Sequence, residues 1–474
     1  MPDYHFEEYV YLAGLTHKTA VIAWGGFFFR VRDNATGFKL VDDGDLDHVF
    51  PPRDETIGER SRSYGPALVT LYDALSGELC QTGVATLANH VEFTELRSDT
   101  VYRYEVQVNG RPWAEGVLRD WGVDAEGRVG LLASGRKYDN RFRTLPHPTE
   151  PAGVTFAVIG DFGTGVRKPS KPNSRQREVA AALETAVEAE GVQLILTTGD
   201  NVYAQRKLLG LAIGGQGDED DDWFFTYYQP YRYVINRVPV FPSVGNHDSG
   251  ETEFVNDDRE QVYDNFYLKT RFAVEAVAGR ASLAPGLFYR FRCGRDVEFI
   301  AVDSSKASIV SGHRYFMDRD NQAFLAGAFG PDGPEQPRWR LPFFHHPPYT
   351  AGPNHNNSAS VIDSLVMPWL IPAGVRAAFC GHEHNFQHVE AAGIHYFVTG
   401  GAGKVAVERP RRQRFETAMV RAWAGSAHFL LVRISDNELV VRPIAPGLGG
   451  ALEDLPLTDP DGIPVPTPIR VTAS

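Results

Sequence analysis

Cysteine and methionine are scarce in this chain, at three and four residues among 474. Cys80, Cys293 and Cys380 are scattered and odd in number, which excludes a disulfide framework and thiolate zinc-ligand spacing. No stretch approaches the ~18 consecutive apolar residues of a membrane span. The opening Met1-Pro2-Asp3-Tyr4-His5-Phe6-Glu7-Glu8 lacks the basic flank and apolar run of a secretory signal. These absences make a soluble, cytoplasmic protein the expectation, or a secreted one if a signal has been removed. Positive charge is also in deficit, with 47 basic against 60 acidic side chains and a formal net charge of −13. That balance argues against a nucleic-acid backbone as partner. An anionic substrate would need local positive charge, which bound cations supply. Hydrophobic content of 43% and charged content of 23% are ordinary globular values, and the length favours two domains. Nothing in the sequence fixes the oligomeric state.

Residues 1–145 alternate in the strand manner, as in Ala20-Val21-Ile22-Ala23-Trp24 and Tyr102-Arg103-Tyr104-Glu105-Val106-Gln107-Val108. Gly, Asn and Asp separate such runs, the pattern of a β-sandwich. The run Leu96–Tyr104, with Trp24 on an early strand, resembles the corner of a fibronectin type III domain, although Ser98 stands where a proline is common. Residues 146–153 form a Pro-rich linker, and the composition then changes. Val154–Gly160 is a continuous apolar run, as expected of a strand buried on both faces. The periodicity predicts a helix over 174–190 with Val179, Leu183 and Val187 on one face and Gly191 as its stop. Val192–Thr198 reads as a second buried strand, which completes a βαβ unit. Later strands are expected over 238–244, 297–302, 339–344 and 377–380, and those after Gly400 are expected to close a second sheet. The Pro-rich residues 461–474 read as a loosely held tail.

Five polar blocks punctuate this second region in fixed order: Asp161-Phe162-Gly163, Gly199-Asp200-Asn201-Val202-Tyr203, Gly245-Asn246-His247-Asp248, His345-His346-Pro347-Pro348-Tyr349 and Gly381-His382-Glu383-His384. Singly, each is ordinary loop chemistry. Jointly, they place carboxylates, an amide, a phenol and imidazoles mostly at strand ends, where loops of one sheet converge. Such a supply suits two adjacent metal ions.

The series resembles the calcineurin-like binuclear metallophosphoesterases, and within them the purple acid phosphatases. Most of that superfamily has His where this chain has Gly163, and Tyr203 supplies the phenol typical of purple acid phosphatases. The resemblance implies a four-layer α/β/β/α domain of the two-sheet βαβ type over 154–460, preceded by the sandwich. It implies that Asp161, Asp200, Tyr203 and His384 hold one metal, and Asp200, Asn246, His345 and His382 the other. Ferric iron is implied beside Tyr203, and zinc, manganese or ferrous iron opposite. His247 is implied to contact phosphate and His355 to protonate the leaving group. The implied activity is hydrolysis of small phosphate monoesters by attack of a metal-bound hydroxide, as in acid phosphatases. A phosphodiesterase on the same platform, or a non-catalytic binding protein, is the alternative. Pro342 departs from the family, standing three residues before His345 where a valine is usual; it removes a ladder donor and so predicts a bulge or edge.

Other conspicuous stretches read as solvated: the acidic run Asp218–Asp222 and the basic Arg409-Pro410-Arg411-Arg412-Gln413-Arg414. His313, His388 and His395 carry no motif. Asp303-Ser304 reads as a structural turn outside the site.

Overall fold

The computed structural model describes residues 3–31, 38–40, 64–123, 129–164, 174–203, 207–208, 211–212, 223–248, 262, 265–267, 287–305, 316, 319–330 and 336–473. The acidic run at 218–222 and His313 lie outside them. The described residues form two compact units. One lies within Met1–Leu145 and Glu219–Pro239, and the other within Pro146–Gly165, Ser174–Asp218 and Val240–Ser474.

The first unit is a β-sandwich. One sheet joins Asp3–Ala13, Ala20–Val31, Phe38–Leu40 and His90–Phe93. The other contains Arg141–Arg143, Val101–Val108, Ala67–Asp73 and Leu79–Ala85 in that order, with Arg111–Pro112 on Val101–Val108. Along Val101–Val108, Tyr102, Tyr104, Val106 and Val108 are buried and their neighbours are not, which is the two-residue period of a strand with one core face. Trp24 lies in the core. The Tyr102 hydroxyl accepts the Arg97 backbone N–H at 2.9 Å, pinning the turn before its own strand. Arg232, from the later segment, donates to Glu7 Oε1 at 2.6 Å, and both side chains are buried. Removing either partner would strand a charge in the interior.

The second unit contains two facing sheets. In the first, Val240–Pro242, Leu194–Thr197 and Val154–Ile159 run parallel, followed by antiparallel Phe429–Ser435, Glu438–Pro446 and Leu452–Asp454. In the second, Tyr289–Arg292 is antiparallel to Val297–Ala301, which runs parallel to Trp339–Phe344, Ala377–Cys380 and Ile394–Thr399. Phe386–Ala391, Val420–Ala424, Leu457–Thr458 and Pro464–Val465 extend it. Phe156 fixes the contact between the sheets, meeting Phe299 and Phe379 edge-on at 4.9 and 5.7 Å.

The helix Ser174–Glu190 covers the outer face of the first sheet. Val179, Ala182, Leu183 and Ala186 form its buried stripe, with Val187 only half-buried, and Gly191 ends it at φ 67°. Arg319–Phe329 and the helical turns of Ile362–Leu370 pack over the second sheet through Phe324, Leu325, Leu365 and Val366. The result is the four-layer α/β architecture expected.

Three sequence expectations need correction. Phe429–Ser435 joins the first sheet beside Val154–Ile159 rather than closing the second, because the ladder side of Val154–Ile159 opposite Leu194–Thr197 is available to an antiparallel return. Of the expected tail 461–474, the described residues 461–473 are not loosely held. Ile469–Thr472 pairs with Glu438–Pro446, and Ile469 and Val471 are buried, so alternate apolar side chains anchor it despite the nearby prolines. Pro342 marks neither an edge nor a bulge. Its strand is interior, and the ladder to Ala377–Cys380 engages only Phe343 and Phe344, so that partner strand asks no donor of Pro342.

Candidate metal centre

Six loops that leave parallel strands carry the site: those after Ile159, Thr197, Pro242, Ala301, Phe344 and Cys380. Three of its residues, Asp161, Asp200 and His382, have φ of 55°, 51° and 69°. That left-handed backbone costs a non-glycine residue about 1–2 kcal/mol, and such strain gathers at functional sites. The turn that splays His382 from His384 thus falls at His382 itself. Gly163 is explained by contact with the next block: a Cβ there would lie 2.1 Å from the Asn201 carbonyl oxygen. Its own carbonyl accepts the Tyr203 N–H at 2.8 Å, so the position that cannot carry an imidazole seats the phenol instead.

Two side-chain groups result. In one, ligand atoms of Asp161, Asp200 and His384 lie within 4.8 Å of one another. Tyr203 joins them, its hydroxyl donating to Asp161 Oδ1 at 2.8 Å and lying 3.2 Å from His384 Nε2. In the other group, His345, His346 and His382 are equally close. His345 is fully buried, and its Nδ1–H donates to the Thr198 carbonyl at 2.8 Å, which turns Nε2 toward the other ligand candidates. Facing Nε2 are Asn246 Oδ1 and His382 Nδ1, both at 3.0 Å, and Asp200 Oδ1 at 3.4 Å. Carboxylate, amide and imidazole atoms converging this closely are a donor set of the kind that coordinates cations. The donor set therefore fits metal ions at both groups, with Asp200 adjoining each.

The electrostatics agree. Burial would raise the Asp200 carboxyl, but His345, His247 and the His247 backbone N–H at 3.0 Å outweigh it and bring it to about 2. Burial, reinforced by the neighbouring imidazoles, holds His346 and His382 well below the usual histidine range, so both stay neutral. Burial, then Asp161 and Asp200, pushes the Tyr203 phenol well above its ordinary value, so an added positive charge is needed to ionise it.

His247 lies against the Tyr203 ring at 4.5 Å. His355 stacks on His382 at 3.7 Å between ring centroids, with its Nδ1 3.5 Å from Glu383 Oε1. All nine residues singled out from sequence are thus drawn into one constellation.

Several supporting residues were not legible. Asp248 accepts the backbone N–H groups of Asn201, Val202 and Gly245, locking the second block to the third. Ser304 Oγ accepts the N–H groups of His345 and His346, so the Asp303-Ser304 turn belongs to the site after all. Glu383, fully buried, accepts the N–H groups of Asn354 and His355. Arg414, from the basic turn read as solvated, clamps the same loop through Pro353 O, His355 O and Asn356 Oδ1. Lys404 Nζ sits 4.1 Å from the Tyr203 ring centroid. The only sequence signal for Asp248 and Glu383 was membership of their blocks.

Known proteins bear on this geometry. Residues 154–386 match the calcineurin-like phosphoesterase family model, which supports a metallophosphoesterase. The acid phosphatase relatives below support the purple acid phosphatase-like kind. The chain is 25% identical over 283 residues to tartrate-resistant acid phosphatase type 5 of Rattus norvegicus, covering 57% of this chain and 79% of that protein. The Homo sapiens counterpart is 24% identical over 316 residues, covering 61% and 87%. Among solved structures, PhoD superposes with a TM-score of 0.60 at 12% identity, covering 97% of this chain and 92% of its own. The purple acid phosphatase PPD1 from seeds of yellow lupin, Lupinus luteus, gives 0.58 at 13%, covering 94% and 73%. The structural likenesses establish the fold. The family match and the relatives support a hydrolase acting on phosphate esters at a dimetal centre. Among the described residues, no helix is long and apolar enough to cross a membrane.

Proposed function

We propose that the protein is a phosphomonoesterase of the acid phosphatase type, acting on small phosphorylated substrates. Asp161, Tyr203 and His384 would hold one cation, Asn246, His345 and His382 the other, and Asp200 would bridge. The phenolate and carboxylates favour ferric iron at the first position; the amide and imidazoles favour zinc, manganese or ferrous iron at the second. When bound, the pair would supply Lewis acidity toward phosphoryl oxygens and a lowered pKa for the attacking water. His247 and Lys404 lie where they can meet the phosphate's negative charge. His355, held by Glu383 and Arg414, lies where it can protonate the departing alcohol oxygen. The sandwich over 1–145 is fibronectin type III-like, with the Tyr102 corner as support; 146–153 is a linker and 154–460 the catalytic domain.

The single observation that carries this reading is the convergence of Asn246 Oδ1 and His382 Nδ1, both at 3.0 Å, and Asp200 Oδ1 at 3.4 Å on His345 Nε2. The test is hydrolysis by metal-loaded protein of 4-nitrophenyl phosphate against bis(4-nitrophenyl) phosphate. Faster turnover of the monoester is expected. Preference for the diester would replace it with a phosphodiesterase, and bound metal without hydrolysis of either would leave a binding protein.

A further inference from the structure

The sandwich sheet that contains Val101–Val108 has two unlike edges. At one, Arg141-Phe142-Arg143 carries two guanidiniums, a common guard against further strand pairing. At the other, Leu79-Cys80-Gln81-Thr82-Gly83-Val84-Ala85 carries no charge and no proline. The inner face of that strand is occupied. Gly83 packs on Val91, where a Cβ would lie 2.2 Å from a methyl carbon, and Gln81 Nε2 donates to the Thr94 carbonyl at 2.9 Å. Its outer face is open: Val84 is 73% exposed, Leu79 56%, and Leu68, the ladder partner of Val84, 37%.

The ladder fixes which backbone groups remain unpaired. Along Ala67–Asp73 the bonding direction alternates from residue to residue. Pro66 O accepts the Asn109 N–H on the Val101–Val108 side, whereas Asp73 N–H donates to Glu78 O on the other. Ala67 and Val69 therefore bond to their partners Ala85 and Gly83. Thr82 and Val84 direct their N–H and C=O groups away from the sheet, and no hydrogen bond meets those groups among the described residues. A register shift beside Leu71 and Tyr72 limits the regular edge to Gln81–Ala85, which is centred on Gly83.

This edge is complementary to itself. An identical strand laid antiparallel, with the twofold axis at Gly83, sets Thr82 opposite Val84 twice, and each pair exchanges two backbone hydrogen bonds. No like charges face each other in that register. Continued past the ladder, it brings Leu79 toward Leu87 of the second copy, which is 52% exposed. The backbone bonds alone would accept any strand; the reciprocal meeting of exposed leucines favours a second copy of this chain.

We propose that Leu79–Ala85 is the contact through which two copies of the protein associate, joining their sandwich sheets edge to edge about a twofold axis at Gly83. Cys80 does not face its own counterpart in this register, so the association needs no disulfide and is indifferent to reductant.

Sedimentation velocity on the full chain at micromolar concentrations, with reductant present, should give twice the chain mass. Thr82→Lys/Val84→Lys sets ammonium groups opposite each other in both pairs and should weaken self-association at least about tenfold. Thr82→Glu/Val84→Lys sets opposite charges across the axis and should keep the dimer. Both positions are exposed, and thermal melts confirm folding. The register is read by mixing Thr82→Cys protein with Val84→Cys protein, each also carrying Cys80→Ser, under mild oxidation. Opposed Cα atoms of a hydrogen-bonded pair lie about 5.5 Å apart, within disulfide reach, so a cross-linked heterodimer is expected and little product from either protein alone. Should the double-lysine protein fail to fold, the mixed cross-link still decides. A wild-type protein that stays monomeric, a dimer unaffected by the two lysines, or no mixed cross-link would overturn the inference. None of these readouts depends on the metal centre.

Discussion

Replacing Glu383 with alanine tests whether the loop carrying His355 is held for chemistry. The carboxylate is fully buried, and its Oε1 accepts Asn354 N–H at 2.7 Å and His355 N–H at 3.1 Å. Hydrogen bonds to a charged acceptor contribute about 1.5–3 kcal/mol each, so two lost bonds total about 3–6 kcal/mol before the carboxylate's relieved desolvation offsets part. The net local loss should be roughly 2–4 kcal/mol. Arg414 still grips Pro353, His355 and Asn356, so the loop should loosen rather than unfold the domain. A shift of about 1 Å in a positioned catalytic group costs on the order of a hundredfold. The Glu383→Ala protein should therefore lose about a hundredfold in kcat on an alkyl phosphate, whose leaving oxygen needs a proton. On 4-nitrophenyl phosphate, which leaves unaided, it should lose only a few-fold. His355→Ala should show the same leaving-group dependence, and Glu383→Gln, which retains Oε1 as acceptor, should recover most of the rate. Steady-state kinetics on the two esters, with a thermal melt to confirm folding, decides it. Equal losses on both substrates, or alanine indistinguishable from wild type, would refute the reasoning.

Two further outcomes follow from the structure. Asp200→Asn removes the charge that adjoins both ligand groups, so turnover and metal content should fall together; near-normal kinetics with intact metal would remove its bridging role. His388, in the Phe386–Ala391 strand, is lowered to about 3 by burial and then by His395 and Arg421. Its folded pKa lies below the unfolded value of about 6.5, so the unfolded state gains the proton first and stability falls as pH drops from about 6.5 toward 3. The loss at about pH 4.5 should be about 3 kcal/mol. His388→Gln should flatten the pH dependence of the urea midpoint over that window, and an unchanged slope would contradict the assignment.

What the sequence disclosed, and what it withheld, follows from the range of the forces involved. The helix Ser174–Glu190 and the strands Trp339–Phe344 and Ala377–Cys380 announce themselves through local periodicity and apolar runs. The ligand candidates were legible because metal chemistry demands particular atoms, and each loop supplies them within a few consecutive residues. Ser304, Glu383 and Arg414 were not, since each acts through hydrogen bonds to backbone groups 28 to 61 residues away. Serine, glutamate and arginine in a turn look the same whether they face water or brace an imidazole. Ile469–Thr472 misled for a related reason: prolines nearby speak of local geometry, while burial of Val471 depends on a partner strand.

Visible absorption with metal quantification on the oxidised, iron-loaded protein and its Tyr203→Phe variant tests most directly whether these side chains gather two cations. Two metal ions per chain are expected, with a purple or pink tyrosinate-to-iron band that vanishes in the phenylalanine protein while iron remains. A colourless wild-type protein carrying a full complement of iron, or one that retains no metal, would contradict the account.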